Sequence, residues 1–94
     1  MTDMVTRRLV VRGRVQGVGF RYAMVQEARE LGLHGWTRNR RDGSVEAVIH
    51  GPRDDVQHLV EWAKRGPEGA VVKDVEITET DETGLPLFET RPTA

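Results

Sequence analysis

The sequence predicts an α+β fold in which an antiparallel sheet of four to five strands carries two helices on one face. Three observations lead there. Two segments have apolar residues at helical spacing, shorter alternating segments flank each of them, and glycine or proline punctuates the junctions. A chain of 94 residues is the size of one compact domain, here residues 1–94, and can bury a core without metals or disulfides.

The first strand covers residues 4–11, where β-branched residues and Leu9-Val10-Val11 run up to a glycine-rich segment. Phe20, Met24, Ala28 and Leu31 then recur at helical spacing, and Gly32 is placed to cap the helix C-terminus. Residues 34–40 form a second strand and Asp42-Gly43 a tight turn. Residues 44–50 form a third strand, in which Val45, Ala47 and Ile49 alternate with Glu46, Val48 and His50. Pro52 suits the first turn of a second helix with Val56, Leu59, Val60 and Ala63 on one face, and Gly66-Pro67 ends it. Residues 71–80 alternate as a fourth strand, with Val71, Lys73, Val75, Ile77 and Glu79 on one side. A short fifth strand at residues 87–91 follows Gly84-Leu85-Pro86.

The order β-α-β-β-α-β is that of a ferredoxin-like sandwich. A right-handed crossover returns the second strand parallel to the first. The end of the second strand, near Asn39, therefore meets the end of the sheet that carries the glycine-rich loop, and Arg21 and Asn39 face a common site.

With no cysteine in the chain, disulfides, thiolate zinc sites, iron–sulfur ligation and thiol nucleophiles are excluded. The N-terminus lacks the apolar stretch of about 7 to 15 residues that a secretory signal needs, and no run approaches the roughly 20 residues of a membrane span. A soluble, cytoplasmic protein is expected, with no membrane partner. Net charge is −1, but residues 1–41 carry +6 and residues 42–94 carry −7. A basic half that also holds a glycine-rich loop suits an anionic ligand.

The segment Gly13-Arg14-Val15-Gln16-Gly17-Val18-Gly19-Phe20-Arg21 joins the first strand to the first helix. Unpartnered N–H groups at such a helix start form a concave anion site together with the helix dipole. Glycines at 17 and 19 would let the backbone approach a ligand closely. The same pair would also serve an ordinary turn; Arg21, a bidentate fork in the first helical turn, favours the anion reading. Phosphate-binding candidates are thus Val15, Gln16, Gly17, Val18, Gly19, Phe20 and Arg21. The P-loop fingerprint is missing, and Tyr22 stands where a dinucleotide fingerprint needs glycine.

Asn39 reads either as a turn former or as an amide that holds a water beside a bound phosphoryl group. Arg38, Arg40 and Arg41 read as a solvated surface that steers anions. Ser44 and the three histidines His34, His50 and His58 show no triad or metal spacing, and Trp36, Trp62 and Phe88 read as packing residues. A site with Arg, backbone donors and Asn but no strong base or nucleophile suits an activated electrophile. A mixed carboxylic–phosphoric anhydride fits, since its carboxylate leaves without protonation.

These two motifs, Gly13 to Arg21 and Gly35-Trp36-Thr37-Arg38-Asn39 with Gly43, Val45 and Gly51, resemble the signatures of the acylphosphatases. The resemblance spans nearly the whole chain, including Gly66-Pro67. It implies hydrolysis of small-molecule acyl phosphates to carboxylate and inorganic phosphate, with no metal or cofactor, on a ferredoxin-like fold. By the resemblance Arg21 and the loop amides bind the phosphate and Asn39 orients the attacking water; inorganic phosphate is expected as product and inhibitor, and a monomer is expected although no residue pattern specifies the oligomeric state. Thr37 departs from the small apolar residue usual in the family, with a slight shift of packing expected. RNA recognition of the common kind needs exposed stacking aromatics, and only 5% of this chain is aromatic. A non-catalytic binding module, or a domain detached from a larger maturation enzyme that handles carbamoyl phosphate, are the alternatives.

Overall fold

The structure, a computed structural model, describes residues 3–94. The elements follow the expected order: β1 (Met4–Arg14), α1 (Phe20–Glu30), β2 (His34–Asn39), β3 (Val45–Pro52), α2 (Arg53–Arg65), β4 (Val71–Glu79) and β5 (Glu89–Thr90). They form one sheet of order β4-β1-β3-β2-β5. Its four long strands are antiparallel to their neighbours, with Leu9 opposite Ala47 and Trp36 opposite Val48. The fifth strand corrects the all-antiparallel expectation, because β5 lies parallel to β2. The chain leaves β4 at one edge of the sheet and crosses to the other edge before pairing, which reverses its direction.

Alternation decides which face is covered. Leu9, Val11, Val45, Ala47 and Ile49 point to one face and meet Phe20, Met24 and Ala28 of α1 and Val56, Leu59, Val60 and Ala63 of α2 in a single buried core. Both helices therefore lie on that face, as expected. Leu31 caps α1, and Gly32 at φ 69° follows it, donating to Arg29 O while Leu33 donates to Ala28 O. This pair of bonds is the αL stop that glycine permits, and it drops buried Leu33 into the core. Pro52 ends β3 and immediately precedes α2 instead of entering its first turn; its extended ψ of 139° places the helix start at Arg53.

β1 runs three residues past its expected end. Its register with β4 shifts between Arg12 and Gly13, so that Arg12 faces Asp74 while Gly13 faces Val72. Lys73 is the extra residue of a bulge, and a Cβ on Gly13 would collide with the Val71 carbonyl oxygen. The bulge also breaks the expected alternation in β4. Val72 and Val75 pack on the core, whereas Val71 and Ile77 stay exposed.

The opposite face of the sheet is not bare. Glu46 is buried there and accepts from Arg8 Nε at 2.7 Å and from Arg38 Nε at 2.7 Å. Burial pushes the Glu46 carboxyl up, but the hydrogen bonds from Arg38 and Arg8 outweigh it and hold the group below its ordinary value. The guanidiniums of Arg38 and Arg91 lie 4.8 Å and 5.0 Å from the Trp36 ring centroid, and Trp36 Nε1 donates to Glu82 at 2.7 Å. Arg38 is thus a structural partner of Glu46 and Trp36 and not part of a steering surface. Trp36 and Phe88 are buried as expected, and Trp62 stacks obliquely on Phe20 at 5.4 Å.

Candidate active site

The loop between β1 and α1 is fixed at both ends by side chains in the core, Val15 and Phe20, each only 1% exposed. Gly17 and Gly19 between them are exposed, with φ 75° at both. That left-handed backbone is what requires glycine here, since an added Cβ at either position meets nothing within 4 Å. The second requirement assigned to these glycines, room for close approach, concerns only what enters the cavity they face. Val18 takes no part in lining that cavity. It packs inward against the core, so its place in the phosphate-binding set is limited to its backbone.

Gly19 is the N-cap of α1 with no side-chain cap, and the helix's first hydrogen bond is Ala23 N–H to Gly19 O at 3.0 Å. The N–H groups of the opening turn have no acceptor within the helix. No acidic residue stands in that turn, whereas α2 opens with Asp54 and Asp55. Arg21 occupies the α1 position where the helix dipole repels a cation. Among the described residues no carboxylate forms an ion pair with it. A helix start with neither cap nor acid, carrying an arginine, is stabilised by an external anion.

Asn39 ends β2, paired with Val45, and lines the same cavity of about 520 Å³ as Gln16, Gly17, Gly19 and Arg21. As crossover handedness predicts, Arg21 and Asn39 lie in one cavity. Asn39 Oδ1 is buried and is the one buried side-chain oxygen or nitrogen among the described residues without a hydrogen-bond partner. A buried acceptor of this kind costs about 1–3 kcal/mol when nothing donates to it. Because Asn39 lines a polar cavity, a turn of its side-chain amide is enough to bring this acceptor to a donor supplied by solvent or ligand.

Sequence reasoning missed the rest of the wall. Tyr22, Val25 and Arg29 of α1 and Glu89 and Thr90 of β5 also line the cavity. Helical spacing from Arg21 to Val25 to Arg29 could have revealed the first group; β5 was visible as a strand but its partner was not. Arg29 Nε donates to Phe88 O at 2.9 Å and ties this wall to α1. Beyond β5, Arg91 N–H donates to Thr37 O and Ala94 N–H to Asn39 O at 3.0 Å, so the chain continues along β2 to the Asn39 backbone.

The remaining candidates have other partners. The Ser44 hydroxyl and amide both donate to Asp42 Oδ1, at 2.6 Å and 2.9 Å, which holds the Asp42 carboxyl low. His50 Nδ1 and Thr6 Oγ1 are 2.8 Å apart, away from the cavity. Thr37 is fully buried and its hydroxyl donates to Glu46 O at 3.1 Å, which is how a polar side chain is accommodated at this buried position. Among the described residues no three His, Cys, Asp or Glu side chains gather to hold a metal.

Fold and cavity together define a ferredoxin-like α+β domain with a cationic, donor-rich pocket at one end of its sheet. A family model described as Acylphosphatase matches residues 7–90. An acylphosphatase of Albidiferax ferrireducens is 55% identical over 87 residues, which cover 90% of this chain and 95% of that one. An acylphosphatase of Thermococcus kodakarensis is 51% identical over 85 residues, covering 90% and 93%. The crystal structure of acylphosphatase from Bacillus subtilis superposes with a TM-score of 0.88 at 40% identity, covering 95% of this chain and 99% of that one. The chain belongs to the acylphosphatase family. The expected enzyme class, a hydrolase of acyl phosphates, is the one found.

Proposed function

We propose that residues 1–94 act as one domain that binds the phosphoryl group of an acyl phosphate on the loop amides of residues 15–21 and on Arg21, and directs a water from Asn39 onto phosphorus. The carrying observation is that the acid-free, arginine-bearing start of α1 and Asn39, whose buried Oδ1 has no partner, line one cavity. Asn39 Oδ1 accepts from the water and aims its oxygen at phosphorus. As the new O–P bond forms, the P–O bond to the acyl group breaks and the carboxylate departs with the electron pair. Both protons of the water end on oxygens of the phosphate product, so no side-chain base is needed, and the carboxylate leaves unprotonated, so no side-chain acid is needed. Loop amides and Arg21 carry the charge on the phosphoryl oxygens, which is the main catalytic work in such a transfer. The reading includes a monomeric, cytoplasmic enzyme inhibited by its product, inorganic phosphate.

The test is hydrolysis of benzoyl phosphate by the purified protein in the presence of a chelator, with turnover above buffer expected. Asn39→Ala should lower kcat by about 10²-fold or more, the scale for one oriented catalytic group, with phosphate inhibition largely kept. Equal loss of both would make Asn39 a binding residue instead.

A further inference from the structure

Gln16 belongs to the loop that the sequence assigns to phosphate, yet its side chain turns away from that task. Nε2 donates to Arg40 O at 2.7 Å and to Ser44 O at 2.9 Å, so both hydrogens of the amide nitrogen are used. The two carbonyls already accept within the β2–β3 turn, from Gly43 N–H and Arg40 N–H respectively. Arg40 directly follows Asn39, and Ser44 directly precedes Val45, the register partner of Asn39. One side chain from the loop therefore grips both arms of the turn, one residue beyond the rung that carries Asn39.

We propose that Gln16 is a positioning residue: it sets the spacing between the phosphate loop and the Asn39 amide, and its side chain is not a phosphate ligand. The inference rests on the roles given above to the loop and Asn39. Its chemistry is specific. A glutamate would set carboxylate oxygens against two carbonyl oxygens, and an asparagine is one methylene too short to reach both. The gain is in placement, where an error of about 1 Å between nucleophile and electrophile costs on the order of 10²-fold in rate.

The experiment is a double-mutant cycle on the full chain with benzoyl phosphate, using wild type, Gln16→Ala, Asn39→Ala and the double variant. The phosphate inhibition constant is measured for each. Gln16→Ala should lower kcat about tenfold or more while the phosphate constant changes by less than about threefold, because placement is lost and the anion site is kept. In the Asn39→Ala background the same change should cost less than about twofold, since there is no amide left to place. Gln16→Glu, equal in length, should lose as much as Gln16→Ala. Retained phosphate inhibition reports a folded loop in every variant, and Gln16→Met repeats the test at matched volume. Losses that multiply through the cycle, a phosphate constant that rises in step with the fall in kcat, or an active Gln16→Glu would each overturn the inference. An inactive wild type would instead overturn the reading of the site itself.

Discussion

Replacing Arg21 by Gln should invert the order of thermal stability between wild type and variant according to whether phosphate is present. In the first turn of α1 a cation meets the positive end of the helix dipole, and no acid in that turn offsets it. Such a placement costs about 0.3–1 kcal/mol, and the half-exposed Arg21 falls within that range. For a domain of 94 residues each 1 kcal/mol moves Tm by about 4–8 °C, so the phosphate-free variant should melt about 1–8 °C above wild type. With phosphate at 100 times its Kd, the folded wild type gains about 2.7 kcal/mol, which raises its Tm by about 10–20 °C. The variant, without the fixed charge, should move little and finish below wild type. Differential scanning calorimetry in a phosphate-free buffer, with sodium chloride holding ionic strength constant, reads both orders. A variant that melts below wild type without phosphate would show that Arg21 serves the fold. One that gains as much as wild type from phosphate would show that the anion is held elsewhere.

Glu46 carries the acid sensitivity of the open sheet face. Its folded pKa lies below the ordinary value of 4.5, so its contribution to stability is fully present above that value and is lost as pH falls through the folded value. Glu46→Gln should cost about 1–3 kcal/mol at pH 7, because two guanidiniums lose a charged partner, and urea denaturation should find this difference shrinking toward pH 3. A difference constant across that range would contradict the assignment. Gly35→Ala should destabilise by about 2–4 kcal/mol, since a Cβ at φ 139° meets the Val48 carbonyl on the neighbouring strand. Gly43→Ala, at φ 94° with open space around it, should cost clearly less in the same denaturation assay, and the reverse order would refute the steric argument.

Which parts of this molecule could be read from its residues follows from the range of the interactions involved. Helix α2 was legible because Val56, Leu59, Val60, Ala63 and Gly66 state its face and its end within one short segment. The common cavity of Arg21 and Asn39 was legible too, because crossover handedness is a rule of connection and needs no side-chain detail. The bulge at Lys73 was not, since a two-against-one count exists only relative to Arg12 and Gly13 on the partner strand. Arg38 looked like one more surface cation because its partner Glu46 faces it only once the β2–β3 register is known. Gln16 and Val18 show a related limit. A motif marks which residues form a loop, but a loop residue's direction is set by what it touches, here the carbonyls of Arg40 and Ser44 for one and the core for the other.

The wall formed by β5 and the residues after it ties the cavity around Asn39 to the completion of folding. The loop at residues 15–21 and the chain at residues 88–94 lie far apart in sequence, yet they converge around Asn39, the loop through the bonds from Gln16 to Arg40 O and Ser44 O and the chain through the bond from Ala94 to the Asn39 carbonyl. β1, which leads into the loop, is itself hemmed between β3 and β4, so its place in the sheet depends on chain that follows much later. Contacts of such long sequence separation close slowly, and local structure alone cannot assemble them. The cavity around Asn39 is therefore complete only in the fully folded chain: α1 with its arginine is a local element, whereas the wall beside Asn39 exists only once residues 88–94 have crossed the sheet.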